Sequence, residues 1–389
     1  MKANLALGRK GGFMGLLAAG CIINPSAHAQ SSVTLYGILD EGLTYTNNQH
    51  GSGAWQATNQ NVDGTRWGLR GTEDLGGGWK AVFTLENGFS LTNGGAGSSS
   101  QLFNRQAFVG LASDGYGSVT LGRQYDSVVD YLGALALTGT GYGGVHSAHP
   151  FDNDNLDDSF RVNNSVKYTS VNYHGLTFSG LYGFSNQAGG FAANRAYSGG
   201  ASYDFGGFHL AAAYLQLNNS GATVGFNSAG SVTGDATFNA SRQRTFGAAA
   251  TYSFDKGGVG FLFTETRLQN ATGINAYASG TASGIGLSGG DVRFDNYELN
   301  GHYSVTPAIT LSGGYTYTDG RLDGISPKWN QVNFLAAYAF SKRTDVYLQT
   351  DWQHVSGLSG TGIGADLIGL PASSTNQQVA VSVGIRHFF

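Results

Sequence analysis

The side chains through which this chain could carry out covalent or metal chemistry are sparse and poorly grouped. Its one cysteine is Cys21. His174, His209, His302, His354 and His387 are scattered over different strand-like and turn-like segments, so no Ser/His/Asp set gathers at one place. His146 and His149 have the spacing of a zinc pair but no third ligand nearby. Asp152-Asn153-Asp154-Asn155-Leu156-Asp157-Asp158 begins like a calcium loop, yet Leu156 occupies a ligand position and no glycine follows it. The glycine-rich run from Asn93 to Ser100 lacks the Lys-Ser/Thr ending of a phosphate loop. The chain therefore reads as non-enzymatic, without cofactor or metal, and the acidic run reads as solvated loop.

Charged side chains remain as candidates, and their meaning depends on the elements that position them. The chain has 389 residues with 62 Gly, 5 Pro, 20 Tyr and 23 Phe, and 12% of it is charged, about half the ~25% usual in a soluble domain. Disordered chains are charge-rich and aromatic-poor, which excludes that class; the glycines follow no three-residue period, which excludes collagen. Residues 1–29 read as a cleaved secretory signal. Lys2, Arg9 and Lys10 form its positive region, Phe13 to Ile23 its apolar region, and Ala27-His28-Ala29 its cleavage site. Cys21 leaves with it, so the expected mature domain, 30–389, has no thiol for disulfides, metals or catalysis. Loss of the leader takes the cations from 21 to 18 against 25 carboxylates, and the formal charge from −4 to −7. That balance gives no support to a nucleic-acid partner. Nothing after residue 29 approaches the ~20 apolar residues of a membrane-spanning helix.

Alternation with a period of two dominates the rest. Val379, Val381, Val383, Ile385, His387 and Phe389 share one parity, and Gln378, Ala380, Ser382, Gly384 and Arg386 the other. Ile309, Leu311, Tyr315 and Tyr317 oppose Thr310, Ser312, Thr316 and Thr318 in the same way. Such runs are strands with one apolar face. Short turns fall around Leu75–Gly78, Asp114–Gly117, Asn172–Gly175, Asp204–Gly207, Asp255–Gly258, Thr306–Pro307 and Ser341–Arg343. Long polar stretches lie between them, at about 46–64, 90–102, 124–160, 185–195, 218–240, 268–291, 319–328 and 355–377. Seven short turns alternating with eight long loops predict an all-β, 16-stranded antiparallel transmembrane barrel with short periplasmic turns and long external loops.

The placement of charge tests that architecture, because an Arg or Lys facing lipid at the bilayer midplane costs ~2–4 kcal/mol. Asp40 opposes Val33, Leu35 and Leu39; Arg66 and Arg70 oppose Trp67 and Leu69; Glu86 opposes Phe83 and Leu85; Lys167 opposes Val166 and Tyr168. Two places fit poorly. Arg105 shares the parity of Val109 and Leu111, and the strand at 259–267 shows no clean alternation. Sixteen strands enclose a lumen too wide for side chains to fill, so the polar parity becomes pore lining and the few charges are expected to mark it.

Several segments resemble the general-diffusion porins of Gram-negative outer membranes. They are Ser32-Val33-Thr34-Leu35-Tyr36-Gly37, Arg66-Trp67-Gly68-Leu69-Arg70-Gly71-Thr72-Glu73-Asp74-Leu75-Gly76, Asn104-Arg105-Gln106-Ala107-Phe108-Val109-Gly110-Leu111 and Leu121-Gly122-Arg123-Gln124-Tyr125. Arg161-Val162-Asn163-Asn164-Ser165-Val166-Lys167-Tyr168 and the ending Gly384-Ile385-Arg386-His387-Phe388-Phe389 are similar to the β-proteobacterial branch. The resemblance spans essentially all of 30–389. It implies a homotrimer in outer-membrane lipid whose third loop folds inward and narrows each barrel to an eyelet. Ions and small solutes would cross there.

By motif position Arg66, Arg105 and Arg161 match wall arginines of that eyelet and Glu86 a wall carboxylate, with Asp40, Lys167 and Asp130 as further lumen charges. The same four could instead be ordinary strand residues that neutralise one another. Arg123 reads as tying the root of the third loop, about Gln124 to Phe160, to the wall. Where enterobacterial porins carry acids at the loop tip, this chain has Leu135-Ala136-Leu137-Thr138-Gly139-Thr140-Gly141-Tyr142-Gly143-Gly144. Wall arginines facing that uncharged tip lead to an expectation of weak anion preference. Phe389, His387 and Ile385 resemble the ending read by the outer-membrane assembly machinery.

Overall fold

A computed structural model describes residues 31–98, 100–219, 231–232, 236–281, 283–358 and 364–389. The leader expected at 1–29 lies outside the described residues. The barrel is built from seventeen segments: β1 Ser32–Gln49, β2 Ser52–Asn59, β3 Arg66–Gly76, β4 Trp79–Gly88, β5 Gln106–Ser113, β6 Gly117–Gln124, β7 Val162–Thr169, β8 Leu176–Gly183, β9 Arg195–Phe205, β10 Phe208–Asn218, β11 Arg242–Phe254, β12 Gly257–Gln269, β13 Val292–Thr306, β14 Ile309–Arg321, β15 Lys328–Ser341, β16 Thr344–Ser356 and β17 Gln377–Phe388. All neighbours are antiparallel, and β1 pairs with β17 from Ile38↔Phe388 to Thr46↔Ala380, which closes the sheet.

Sixteen staves result, because β2 and β3 lie end to end along the same edge of β1. Glu41 to Gln49 pair with β2, and Ser32 to Ile38 pair with β3. The long loop expected at 46–64 is therefore mostly strand, turned tightly at His50 and Gly51, which have φ of 52° and 107°. The irregular piece is Gln60–Thr65. The buried Asp40 carboxylate holds it, accepting from the amides of Val62 and Asp63 at 2.7 Å each and from the Tyr347 hydroxyl at 2.5 Å.

The seven short turns fall at the expected positions, and the two faces separate as the alternation requires. Val33, Leu35, Val109, Leu121, Phe261, Leu299 and Phe334 are exposed on the outer face, where an isolated soluble sheet would hide them and a bilayer would not. Strand 259–267 departs from clean alternation for a reason. Leu262 points inward and is fully buried, beside Leu215, Leu217 and Ala249 of β10 and β11, against Val128, Leu132 and Phe160 of the segment after β6.

That segment, residues 125–161, lies on the polar side of the sheet. It begins with the short helix α1, Ser127–Tyr131, capped by Asp126, whose side chain accepts from the amide of Val128 at 2.7 Å. Its middle reaches the opposite wall. The amide of Leu137 donates to Glu298, Arg386 donates to the carbonyl of Gly141, Ser312 to that of Tyr142, Gln349 to that of Gly143 and Gln331 to that of His146, at 2.6–2.9 Å. Gly144 is needed there on two counts. Its φ is 80°, and a Cβ would stand 1.9 Å from the carbonyl oxygen of Asn61. The inward break of the second stave and the third loop are thus fitted to each other.

Candidate functional site

The lumen residues gather where the third loop returns to the wall. Glu86, near the top of β4, accepts from the hydroxyl of Tyr36 at 2.8 Å and from Nε of Arg105 at 2.8 Å, with Nε of Arg66 at 3.7 Å. Asp158 closes the group from the loop side. It pairs with Arg105 at 3.2 Å and with Arg161, whose guanidinium also lies over the ring of Tyr125 at 5.5 Å. Asp158 has φ of 55°, a left-handed conformation that Asp tolerates better than bulkier residues.

Arg105 immediately precedes β5 rather than lying within it, so strand parity does not govern its direction. Its inward course follows from the Glu86 and Asp158 carboxylates. Asp158 itself is legible in the sequence only as one of six acids in the loop, because nothing in its spacing distinguishes it from Asp157 or Asp154.

Around this group lies an open cavity of about 490 Å³, bordered by Arg66, Arg105, Arg123, Arg161, Asp63, Asp157 and Asp158 together with the break at Gln60–Gly64 and parts of three external loops. Arg66, Arg105 and Arg161 face Glu86 and Asp158, three guanidiniums against two carboxylates. Asp63 is engaged by Arg386 at 2.5 Å. Burial, and then the neighbouring Asp152 carboxylate, push Asp157 well above the ordinary carboxylate range, which disfavours its ionised form. The bordering groups therefore leave an excess of positive charge in a passage with low-dielectric walls.

The remaining sequence candidates occupy other places. The uncharged stretch 135–144 borders the same cavity through Thr138 and Gly139, while Leu137, Gly141, Tyr142 and Gly143 hydrogen-bond to the inner faces of β13, β17, β14 and β16. Arg123 donates to the carbonyl of Asn104 at 2.6 and 2.9 Å and to Asn163 at 2.7 Å, fastening the end of β6 to its neighbours. Lys167 pairs with Asp130 and donates to the carbonyl of Tyr125 at 3.1 Å. Those two border a second cavity, with Tyr131, Thr177 and His209, on the other side of the loop. Asp40 supports the broken stave. At the carboxyl end, Phe389 exchanges backbone hydrogen bonds with Gly37 at 3.1 Å, Ile385 is exposed on the outer face and His387 bonds Thr344 at 2.8 Å.

His149 serves the loop rather than a metal. Nδ1 lies 2.7 Å from Asp154 and Nε2 3.2 Å from Glu298 on β13, all three buried. Burial disfavours the imidazolium, but the two carboxylates outweigh it and hold the group up at about 10. A pKa raised above the unfolded value gives stability that is full below pH ~6.5 and lost as pH climbs through the folded value. Removing one member of a buried pair costs about 3–5 kcal/mol. Single-channel current noise is accordingly expected to rise as pH passes through about 10, and His149→Gln should show that noise already at neutral pH. A quiet His149→Gln channel would remove this tether from the account.

Comparison with known proteins agrees with this architecture. The sequence pattern of the Gram-negative porin family matches residues 16–358. Outer membrane porin protein 32 of Delftia acidovorans is 30% identical over 376 residues, covering 94% of this chain and 96% of that one. An outer membrane porin protein of Bordetella pertussis is 28% identical over 408 residues, with the same coverage. Among solved structures, the anion-selective porin from Comamonas acidovorans superposes with a TM-score of 0.71 at 25% identity, covering 92% of this chain and all of that one. OmpT of Vibrio cholerae, in a trimer form, shares the fold with a TM-score of 0.63 at 15% identity, covering 92% of this chain and 99% of that one. A closed sixteen-stave sheet with an apolar outer face and a charged inner passage, together with these matches, shows that the chain is an outer-membrane β-barrel of the Gram-negative porin family, in its β-proteobacterial branch.

Proposed function

We propose that this channel passes ions and small hydrophilic solutes passively and favours anions weakly. The observation that carries the reading is the grouping of Arg66, Arg105 and Arg161 around two carboxylates, Glu86 and Asp158, at the passage beside the third loop. A fixed positive excess between low-dielectric walls raises the local concentration of anions and lowers that of cations. Selectivity comes from incomplete neutralisation within the arginine group, in a cavity that the uncharged Thr138 and Gly139 of the loop also border. The Comamonas acidovorans structure bears the name anion-selective porin, and its likeness to this chain supports the same reading.

The working unit in this reading is a homotrimer in outer-membrane lipid, and residues 1–29 are a secretory leader. Phe389, Ile385 and His387 form the ending that the assembly machinery engages, in addition to closing the barrel against β1. Deleting Phe389 should reduce insertion into the outer membrane several-fold while leaving the conductance of inserted channels unchanged. Normal insertion would count against that role.

Reversal potentials across a salt gradient test the selectivity. The unaltered channel is expected to show a small anion preference. Arg161→Ser or Arg66→Ser should move the reversal potential toward the cation side, because each leaves two guanidiniums against the same two carboxylates. A clear cation preference in the unaltered protein would overturn the proposal.

A further inference from the structure

Between β10 and β11 the fifth long loop returns to the barrel along residues 236–239, and the sixth, between β12 and β13, passes beside it. Phe238 pairs with Ile274 and Asn239 with Gly273, and Gly273–Ile274 pairs on its other edge with Ile285–Gly286. The amide of Thr272 donates to the carbonyl of Asn239 at 2.6 Å and that of Asn275 to the carbonyl of Thr237 at 2.9 Å. The Asn275 side chain donates to the carbonyl of Ala236, and a short helix, Ala276–Ser279, follows it.

Strands of two residues do not hold themselves together, so this small sheet depends on what lies beneath it. Phe238 is fully buried and stacks on Phe294 of β13, with ring centroids 5.9 Å apart. Phe294 in turn meets Trp329 of β15 and Phe151 of the third loop, at 6.0 Å each. Ile274 and Ala278 of the sixth loop are buried in the same cluster. Paired rings add a preferred geometry to apolar burial, so the fifth and sixth loops are clamped in one position against the third loop and the wall.

The clamp holds them across the mouth. The sixth loop joins the eleventh and twelfth staves, and the second loop joins the third and fourth, eight staves away by either route round the barrel. Ser98 and Gln101 of the second loop nevertheless border the same cavity as Ala236, Thr237, Asn275 and Ala278. With strands ~4.8 Å apart and tilted by ~40°, sixteen staves make a barrel roughly 30 Å across, whereas a round cavity of about 490 Å³ is roughly 10 Å wide. Loops rooted on opposite walls therefore lean inward until they frame one space. None of those six bordering residues is charged; the charges of the cavity come from the wall, the third loop and the break at 60–64. An uncharged rim discriminates by width and hydrogen bonding rather than by charge.

We propose that Ser98 and Gln101 on one side, and Thr237 and Asn275 on the other, form a size filter in series with the arginine group. The filter sets the largest hydrophilic solute that the channel admits, and the arginines set the charge preference. This rests on the reading that solutes cross beside the third loop, and adds which residues limit them in size.

The test uses the full protein reconstituted in liposomes, with the rate of swelling in isotonic neutral sugars (a pentose, a disaccharide and a trisaccharide) as readout. Phe238→Ala removes the clamp and should raise the trisaccharide rate several-fold relative to the pentose rate. Phe238→Leu keeps an apolar side chain in the cluster and should leave the ranking of the sugars as it is. Gln101 is partly buried and makes no hydrogen bond among the described residues, so Gln101→Trp narrows the rim without breaking a contact. It should lower the disaccharide and trisaccharide rates several-fold while the pentose rate changes little. Reversal potentials across a salt gradient should be the same in all three variants as in the unaltered protein, because no charge is altered. An unchanged sugar ranking in Gln101→Trp, or in a correctly folded Phe238→Ala barrel, would overturn the filter while leaving the anion preference standing. A shift of reversal potential in place of the sugar ranking would overturn the separation of size from charge. Gln101→Trp keeps the test valid even if Phe238→Ala refolds poorly.

Discussion

Inside a bilayer no water is present to satisfy backbone N–H and C=O groups, so each must find its partner within the protein. The antiparallel pairing of β1 with β17 meets that demand at the one place where an open sheet would fail. Every other property follows from closure. It fixes which parity meets lipid and which meets the lumen, and it makes the enclosed space wider than strand side chains can fill. The third loop and the break in the second stave are responses to that width.

The loop is held by two kinds of force at its two ends. At its root Val128, Leu132 and Phe160 are fully buried against the inner faces of β8 to β12, and each such side chain contributes about 1.5–3 kcal/mol. At its tip the anchors are hydrogen bonds to Glu298, Ser312, Gln349 and Arg386, worth about 0.5–1.5 kcal/mol each when neutral and more when charged. Apolar burial and the polar bonds are thus of comparable size, and the polar bonds set direction. Between the two ends Phe151 has φ of 64° while its ring packs on Phe294 and Trp329. For a bulky residue that conformation costs on the order of 1–3 kcal/mol, which the packing around it must offset. The loop is built as a fixed partition, with the arginine-lined passage on one side and the Lys167–Asp130 pair on the other.

Much of this is legible in the sequence because a period of two and glycine-bearing turns are local properties. The strand count, the seven short turns and the inward parity of Glu86 and Arg66 all depend on neighbours within a few residues. What fails to show depends on distant contacts. The polar, glycine-bearing stretch 46–64 looks like a loop, and only its pairing with β1 reveals β2. Leu262, Leu215 and Leu217 blur the alternation because they face a loop that is remote in sequence. Asp158 is singled out from its acidic neighbours by Arg105, which lies 53 residues away. The expectation that charges mark the lumen fails for Arg267 and Arg293, which share the outward parity of Phe261 and Tyr297, since the height of a residue above the lipid boundary is not encoded in parity.

Current that flows through the arginine-lined passage beside Arg161, and not behind the loop, can be blocked from a single position in that passage. The one cysteine of the chain lies in the expected leader, so a single engineered thiol can be addressed without interference in the protein refolded without that segment. Gln101→Cys, which borders the passage and is only partly buried, should react with a negatively charged methanethiosulfonate during bilayer recording and reduce conductance stepwise. Thr264→Cys, buried between loop and wall, should leave conductance unchanged. Complete labelling of Gln101→Cys with no change in conductance would place the current elsewhere.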